Sequence, residues 1–399
     1  MSSDSAGGKR PGPVRVLFAA QFPPPLGGQN VVRKNIFTHL REDPGVAAVH
    51  LEMNFVSSFS QARRASLRKA LELLRVLARA LRFRLAGRFD LLMYPAGGPQ
   101  SVPMIRDILL LPVLTRLAER TIVNFHAAGI ADRLEATSGW LERLLVAVYR
   151  RVDVAVVMTD FNRRDPQALG IRSTVIIPHR IRDANPERRL PDFSPSLPPR
   201  FVYMGHLYDQ KGTPQLIEAF GRLRADFPEA RLCLIGDFIN PYGPDRFQAD
   251  LERWRVQDAV EWTGSLSGTA KATQLFGCNC FVFPSVAPYE SFGLVLVEAM
   301  MHGLPILVSD WRGNKDVVGA DFGGVAFPVS PSLVDGIEFG LRSAMKERDR
   351  WEAWGRKNRE VYERNFRSAG ECEDYLPWVK RRFMPEESTE PIQRRTKSL

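Results

Sequence analysis

The run PYESFGLVLVEAMMHGLPILVSD, Pro288 to Asp310, holds two glutamates, Glu290 and Glu298, with seven residues between them in an otherwise apolar stretch. Gly303 and Pro305 punctuate it, so the spacing predicts a helix over Leu294 to Met301, with a strand in CFVFPS before it and another in PILVSD after it. Glu290 then falls in the loop that enters the helix, and Glu298 lies within the helix. Ser291, Phe292 and Gly293 form the entrance, where unpaired backbone N–H groups and the positive end of the helix dipole favour an anion such as a diphosphate. Acids on either side of an anion seat are suited to accept hydrogen bonds from sugar hydroxyls. The residues alone leave a plainer reading equally open, in which Glu290 caps the helix and Glu298 pairs with a surface cation.

A helix entrance of this kind needs a sheet to hold it, and the chain supplies two. Strand-like runs VRVLFAA (14–20), VHLEMNFV (49–56), FDLLMYP (89–95), TIVNFH (121–126), VDVAVVMT (152–159) and STVIIPH (173–179) alternate with helical patterns, the first over Gln29 to Arg41. Alternation means a mostly parallel sheet with helices on both faces. DANPERRLPDFSPSLPPR, Asp183 to Arg200, has five prolines and reads as a linker. Beyond it the alternation restarts with FVYMGHL, a helix over Thr213 to Ala225, RLCLIGDF, a helix over Asp245 to Val256, and AVEWTG, and from Pro331 onward the pattern is helical. The expected organisation is a disordered N-terminus over 1–13, a Rossmann-like domain over 14–182, a linker over 183–199, a second Rossmann-like domain over 200–365, and a disordered tail over 386–399. Two doubly wound domains on a hinge place a site in the cleft between them, at the carboxyl ends of the strands.

ESFGLVLVEAMMHGLPI resembles the signature of glycosyltransferase family 4, retaining enzymes of the GT-B fold, in which a glutamate, seven residues and a second glutamate precede A-M/A-x-x-G-x-P-V/I. FPPPLGGQNVV after the first strand, NFHAAG, YMGHLYDQKG at the start of the second domain and VEWTGSL ahead of the signature match as well, so the resemblance covers residues 14 to about 380. It implies an α/β chain of two Rossmann-like doubly wound domains facing each other across a cleft, the first binding the acceptor and the second a nucleotide sugar, with a C-terminal helix over 366–385 crossing back to the first. In that resemblance Glu298 holds the ribose hydroxyls, Glu290 binds the donor sugar, and the backbone of Ser291, Phe292, Gly293 and Leu294 cradles sugar and diphosphate. Lys211, read alone as a solvated lysine at a helix start, neutralises the leaving diphosphate. Gly27 and Gly28 let the first loop approach the donor phosphate, and Gly205, His206, Thr263, Gly264 and Leu266 complete the donor surface. His126, otherwise an ordinary strand-end histidine, stands beside the donor sugar. Glu290, Lys211 and His126 are therefore the expected catalytic residues.

One departure from the family pattern stands out. The family has arginine where GHLYDQKG places His206, and a neutral imidazole holds a diphosphate less well than a bidentate guanidinium. Another cation in that place, a protonated His206 or slow turnover would each follow. No Asp-x-Asp occurs in the chain, so no metal site and no cofactor are expected, and positive charge and a helix dipole would stand in for an ion.

The basic residues are concentrated in the first half. Residues 1–190 carry 29 Lys and Arg against 16 Asp and Glu, a surplus of 13, while residues 191–399 carry 26 against 29. RRASLRKALELLRVLARALRFRLAGR, Arg63 to Arg88, holds nine basic residues and one acid, Glu72, with Leu67, Leu71, Leu74, Ala78, Leu81 and Leu85 on one helical stripe. That pattern suits a core-packed helix with a solvated basic face or an anionic bilayer surface touched by Arg63, Arg64, Arg68 and Lys69, and the basic surplus of the first half favours the bilayer. The expected partners are a nucleotide-sugar donor, a saccharide or lipid-linked acceptor and an anionic membrane surface.

Composition narrows the classes further. At 44% hydrophobic and 25% charged the chain is globular, no apolar run reaches membrane-spanning length, and MSSDSAGGKRPGP lacks the apolar core of a secretory signal, so a cytoplasmic or peripheral protein is expected. Cys233, Cys278, Cys280 and Cys372 are too scattered for a disulfide framework and are expected to be reduced. The pI near 9.6 comes with no nucleic-acid recognition motif, and PPPLGGQN is not the G-x-G-x-x-G of a dehydrogenase. A retaining glycosyltransferase of surface polysaccharide or glycolipid synthesis is the leading expectation. A sugar-nucleotide epimerase or phosphorylase on the same fold, and a non-catalytic donor-binding partner of a synthase, remain beside it.

Overall fold

The computed structural model describes residues 12–23, 28–55, 67–85, 87–368 and 375–383. Runs such as VAVV, CFVF and ILVS form strands buried at every position, the pattern of a parallel sheet covered on both faces. The first domain runs β1 (Val14–Ala20), α1 (Gly28–Glu42), β2 (Val46–Glu52), α2 (Leu67–Leu85), β3 (Phe89–Pro95), α3 (Ser101–Leu114), β4 (Ala118–Asn124), α4 (Ile130–Ala136), α5 (Trp140–Tyr149), β5 (Val154–Val157), α6 (Arg164–Ala168) and β6 (Thr174–Ile176). Its strand order is β2-β1-β3-β4-β5-β6, all parallel. Order reverses at β1, so right-handed crossovers put α1 on one face and α2, α3 and α5 on the other. The packing agrees: Val76, Ala80, Met104, Leu110 and Leu145 share one core, while Ile36 and Leu40 join another.

After β7 (Ile181–Arg182) comes β8 (Arg200–Met204), α7 (Thr213–Arg224), β9 (Arg231–Ile235), α8 (Pro244–Trp254), β10 (Val260–Gly264), α9 (Gly268–Phe276), β11 (Cys280–Phe283), α10 (Leu294–Met301), β12 (Ile306–Ser309), α11 (Asn314–Val318), β13 (Gly324–Phe327), α12 (Leu333–Lys346), α13 (Trp351–Asn365), β14 (Arg367–Ser368) and α14 (Tyr375–Phe383). The second sheet has the order β10-β9-β8-β11-β12-β13, again parallel, so its reversal also falls beside its first strand. The topological switch points of both sheets give onto the cleft.

Two crossings join the domains, and they are tied together. β7 leaving the first domain pairs in parallel with β14 returning to it, Ile181 opposite Arg367 and Arg182 opposite Ser368. Arg359, 4% exposed, holds Asp183 with both terminal nitrogens. The proline-rich run lies on the second domain, where the Asn185 amide donates to the carbonyls of Arg189 at 2.8 Å and Met301 at 3.2 Å. α14 then recrosses: Tyr375 and Val379 are buried with Val16, Phe18 and Leu91. Tyr375 donates to Asn124 Oδ1 at 2.7 Å, and Lys380 pairs with Asp43.

Three sequence expectations shift. The strand expected over 49–56 is Val46–Glu52, because a turn in which Gly45 N donates to Asp43 Oδ1 at 2.9 Å starts it early in register with Val14, while Asn54 N leaves the ladder for Glu72 Oε1. The strand expected over 121–126 is Ala118–Asn124, so His126 stands in the loop past its end. β13 was not expected at all, since GGVAF is short and opens on glycines. Cys233, Cys278 and Cys280 are free and buried, and Cys372 lies outside the described residues. Among the described residues no helix is long and apolar enough to cross a membrane.

Candidate active site

The loop from Pro284 to Gly293 joins β11 to α10 and carries the first acid. Glu290 is 9% exposed and its Oε2 receives two hydrogen bonds, from Lys211 Nζ at 2.5 Å and from Ser285 Oγ at 2.6 Å. It does not cap α10, whose N-cap is Gly293 with no side-chain bond. Lys211 reaches it from a 3₁₀ turn over Asp209–Lys211, stopped by Gly212 in the left-handed conformation at φ 76°. A Cβ at residue 212 would lie 2.5 Å from the Pro284 carbonyl oxygen, so only glycine lets the two loops meet. Val286 N donates to Gln210 O at 2.9 Å and Tyr208 hydrogen-bonds Tyr289, which fixes the two loops side by side. A cation and a carboxylate distant in sequence thus become one buried pair.

Glu298 sits one turn into α10, and its Oε2 accepts from Lys271 Nζ on α9 at 2.9 Å. The cation of the plainer reading is therefore present for Glu298, but it is a partly buried lysine, the second lysine-glutamate pair of the site. Nothing in the sequence around Lys271 marks it for this place. His302, one turn beyond Glu298, places Nδ1 2.8 Å from the Glu298 carbonyl oxygen and rests against Phe276, which braces this part of the helix.

His206 is exposed, on the turn after β8. Desolvation and the nearby Lys211 ammonium hold its imidazole below the ordinary value, with Asp237 opposing. It is neutral at pH 7 and adds no charge to the site.

The facing wall belongs to the first domain. His126 and His179 stack with ring centroids 5.8 Å apart and planes 7° from parallel, and Phe292 meets His179 edge-on at 5.3 Å. Burial, then the Arg33 guanidinium of α1 and His179, hold His126 well below its ordinary value. Burial and Arg33 push His179 down to about 4. Both rings are neutral at pH 7. Ser291 Oγ donates to the His126 carbonyl at 2.8 Å, so the entrance of α10 is bonded to the other domain. Arg312 pairs with Asp132, and Phe161 N donates to Asp316 Oδ2 at 2.8 Å. Gly313 is essential to this closeness, because a Cβ there would lie 2.6 Å from the Ser291 carbonyl oxygen and 2.8 Å from Thr159 Oγ1.

The remaining expected residues fall in three groups. Gly205, Thr263 and Gly264 end β8 and β10 at the carboxyl edge, and Gly264 O accepts from Gly236 N at 2.9 Å. Leu266 and Leu294 pack on the second core, and the Phe292 ring turns to His179 and Phe366, leaving its backbone for the helix entrance. Gly28 is the first residue of α1, while Gly27 lies outside the described residues. His179, Ser285 and Arg33 join the site without having been expected. The first of these had a visible signal, a polar residue at the end of the apolar run STVIIP.

Residues 189–361 match the family model of glycosyl transferases group 1, which covers the second domain. Sulfoquinovosyl transferase of Arabidopsis thaliana is 29% identical over 167 residues, 42% of this chain and 30% of its own length. The chain spans about a third of the length of the first curated relatives it matches. Among solved structures, sucrose-phosphate synthase of Thermosynechococcus elongatus superposes with TM-score 0.66 at 17% identity, covering 89% of this chain and 95% of that one. The HepE protein of Anabaena in complex with UDP does so with TM-score 0.62 at 15% identity, covering 89% and 96%. The fold is GT-B: two parallel-sheet Rossmann-like domains about a cleft.

Proposed function

We propose that this chain is a retaining glycosyltransferase that moves a sugar from a nucleotide diphosphate sugar to a saccharide or lipid-linked acceptor in surface polysaccharide or glycolipid synthesis, drawing its donor from the cytoplasm and needing no divalent metal. The observation that carries the reading is the Lys211–Glu290 pair, 2.5 Å apart and nearly buried at the entrance of α10, with the Lys271–Glu298 pair one turn beyond it. Such an arrangement suits one ligand with a hydroxyl-bearing sugar at each end and a diphosphate between. Glu290 and Glu298 accept from sugar and ribose hydroxyls, while Lys211 and the dipole of α10 meet the phosphate charge that grows as the glycosidic bond breaks. Similarity to the group 1 model, and to a structure holding UDP, supports a nucleotide donor.

In the transfer, the bond from the anomeric carbon to the diphosphate oxygen breaks while a bond to the acceptor oxygen forms on the same face of the sugar. The acceptor proton passes to the departing diphosphate oxygen, and no side chain is assigned as its base. His126 acts as a neutral hydrogen-bonding group beside the sugar. The two lysines and two glutamates sum to zero charge and His206 is neutral, so Arg33 from the facing wall is the cation that would stand in for the family's arginine.

Calorimetric titration with UDP, GDP and ADP and their common sugars, in EDTA, tests the reading. One nucleotide should bind selectively, and Glu298→Ala should weaken it by about tenfold or more, the worth of a hydrogen bond to a charged group. No binding of any nucleotide by the wild type would overturn it. Selective binding with no transfer to any acceptor would instead favour a donor-binding partner of a synthase, the reading that neutral His206 suggests.

A further inference from the structure

α2 is apolar on two opposite faces. Glu72, Val76 and Ala80 turn into the first domain and are buried, while Leu67, Leu71, Leu74, Leu81 and Leu85 form a second stripe that is 53–85% exposed. At about 1.5 Å per residue this leucine stripe runs the whole 19-residue helix, about 28 Å. The neighbouring helices extend it. Ile105, Leu109 and Val113, at successive i, i+4 positions of α3, and Trp140 and Leu144 of α5 are exposed too. Ten of the thirteen large apolar side chains exposed among the described residues thus lie on three adjacent helices covering one face of one sheet. Scattered exposed leucines need no account, whereas a concentration of this kind marks a covered surface.

The charge on that face says what covers it. α2, α3 and α5 contain one acid each, Glu72, Asp107 and Glu142, and all three are buried. Arg75 and Arg79 pair with Glu72, Arg106 with Asp107 and Arg133 with Glu142. No carboxylate of these helices reaches the outer face, while Arg68, Arg82, Arg84 and Arg143 are exposed there. At the foot of α2 and α3, four arginines, Arg84, Arg88, Arg116 and Arg151, outnumber two acids, Glu119 and Asp153, around a cavity of about 400 Å³, and Asp153 already pairs with Arg120. A second copy of the chain laid face to face would set these arginines against their equals. Leucines flanked by an excess of cations over acids among the described residues instead match a bilayer interface, acyl chains beneath anionic headgroups.

We propose that the face made by α2, α3 and α5 docks flat on an anionic phospholipid bilayer, with the leucine stripe in the interface and the arginines at the headgroups. α2 and α3 each follow a strand, and α5, which follows α4, leads directly into β5, so the N-terminal ends of all three point to the carboxyl edge of the parallel sheet, beside the cleft. A docked protein opens its cleft next to the membrane, and on the glycosyl-transfer reading, on which this last step alone rests, the acceptor is anchored there.

Flotation with phosphatidylcholine vesicles, with and without phosphatidylglycerol, tests the docking on the full chain. Wild type should float with the anionic vesicles and not with the neutral ones, less so at high salt. Two triple variants separate the contributions: Leu71→Ser with Leu74→Ser and Leu81→Ser, and Arg68→Glu with Arg82→Glu and Arg84→Glu. Each should lower the partition constant by about tenfold or more, since every cation near an anionic surface contributes measurably. Nucleotide titration of the same variants should be unchanged, which shows them folded and keeps failure of docking apart from failure of the donor site. Equal binding to neutral vesicles, no loss in either variant, or a lipid-free dimer dissolved by the leucine changes would each overturn the proposal, the last in favour of a second copy.

Discussion

A lysine and a glutamate that share a nearly buried contact cannot be removed one at a time without consequence. Lys211→Ala leaves Glu290 facing Ser285 in an apolar wall, so it should cost stability, about 1–3 kcal/mol, as well as transition-state charge. We expect kcat to fall about 10²–10³-fold, the scale of losing one charge-stabilising donor. Lys211→Met combined with Glu290→Gln should recover the denaturation midpoint and none of the rate; recovery of neither would mean that the pair is not an isolated unit. The stacked histidines give a second prediction. His179 is pushed down to about 4 from 6.5, so the folded form stays neutral where the unfolded chain takes a proton. A depressed histidine contributes stability fully present above pH 6.5, lost as pH falls toward 4. Denaturant midpoints measured from pH 7 to 4.5 should fall, and His179→Gln should flatten that fall by on the order of 2 kcal/mol. An identical slope in the variant would place the titration elsewhere.

At the scale of elements, the Lys211–Glu290 half of the site depends on two short turns rather than on a helix. Gly212 has a left-handed φ and no room for a Cβ against Pro284 O, so Gly212→Ala must move either the 3₁₀ turn or the Glu290 loop. It should cost about 1–3 kcal/mol and lower kcat with the wild-type nucleotide affinity retained, because Lys271 and Glu298 stand on other elements. Unaltered turnover would show that Lys211 reaches its place by another route. What was legible in the sequence follows the same division. α10 has the expected bounds, Leu294–Met301, because Gly303 and Pro305 stop it by local chemistry. β13 has no signature in the sequence, since the three residues between a glycine pair and a proline carry no period. Lys211 and Glu290 each stand in a recognisable local pattern, but a contact across 79 residues has no local signature. Lys271 had none at all: one cation within GTAKATQLF gains its meaning only when α9 lies beside α10.

On the scale of the whole molecule, the two domains are in contact through bonds that exist only while the cleft is narrow. Arg312 on the β12–α11 loop pairs with Asp132 on α4, Asp316 accepts from Phe161 N, and Ser291 donates to the His126 carbonyl. The β7–β14 pair and α14 hold the hinge side and would survive opening. Each cleft bond therefore favours the closed form over the open one by its own net worth and no more. Arg312 is nearly buried and Asp132 half-exposed, so their pair is worth about 0.5–1 kcal/mol. If donor binds the closed form, Arg312→Ala lowers the closed fraction and weakens apparent nucleotide affinity by about two- to fivefold, with the chemical step at saturation little changed. The same variant should show a larger radius of gyration in X-ray scattering without ligand and the wild-type value once nucleotide saturates it. Asp132→Ala should open the cleft in the same direction but less, since Arg312 also lies over the Phe161 ring, and the double variant should fall short of the sum of the two, since they share one contact. Scattering and affinity that do not respond to Arg312→Ala would mean that closure is held by the Ser291 hydroxyl on the His126 carbonyl and by Phe161 N on Asp316, and Ser291→Ala would then be the variant that opens the cleft.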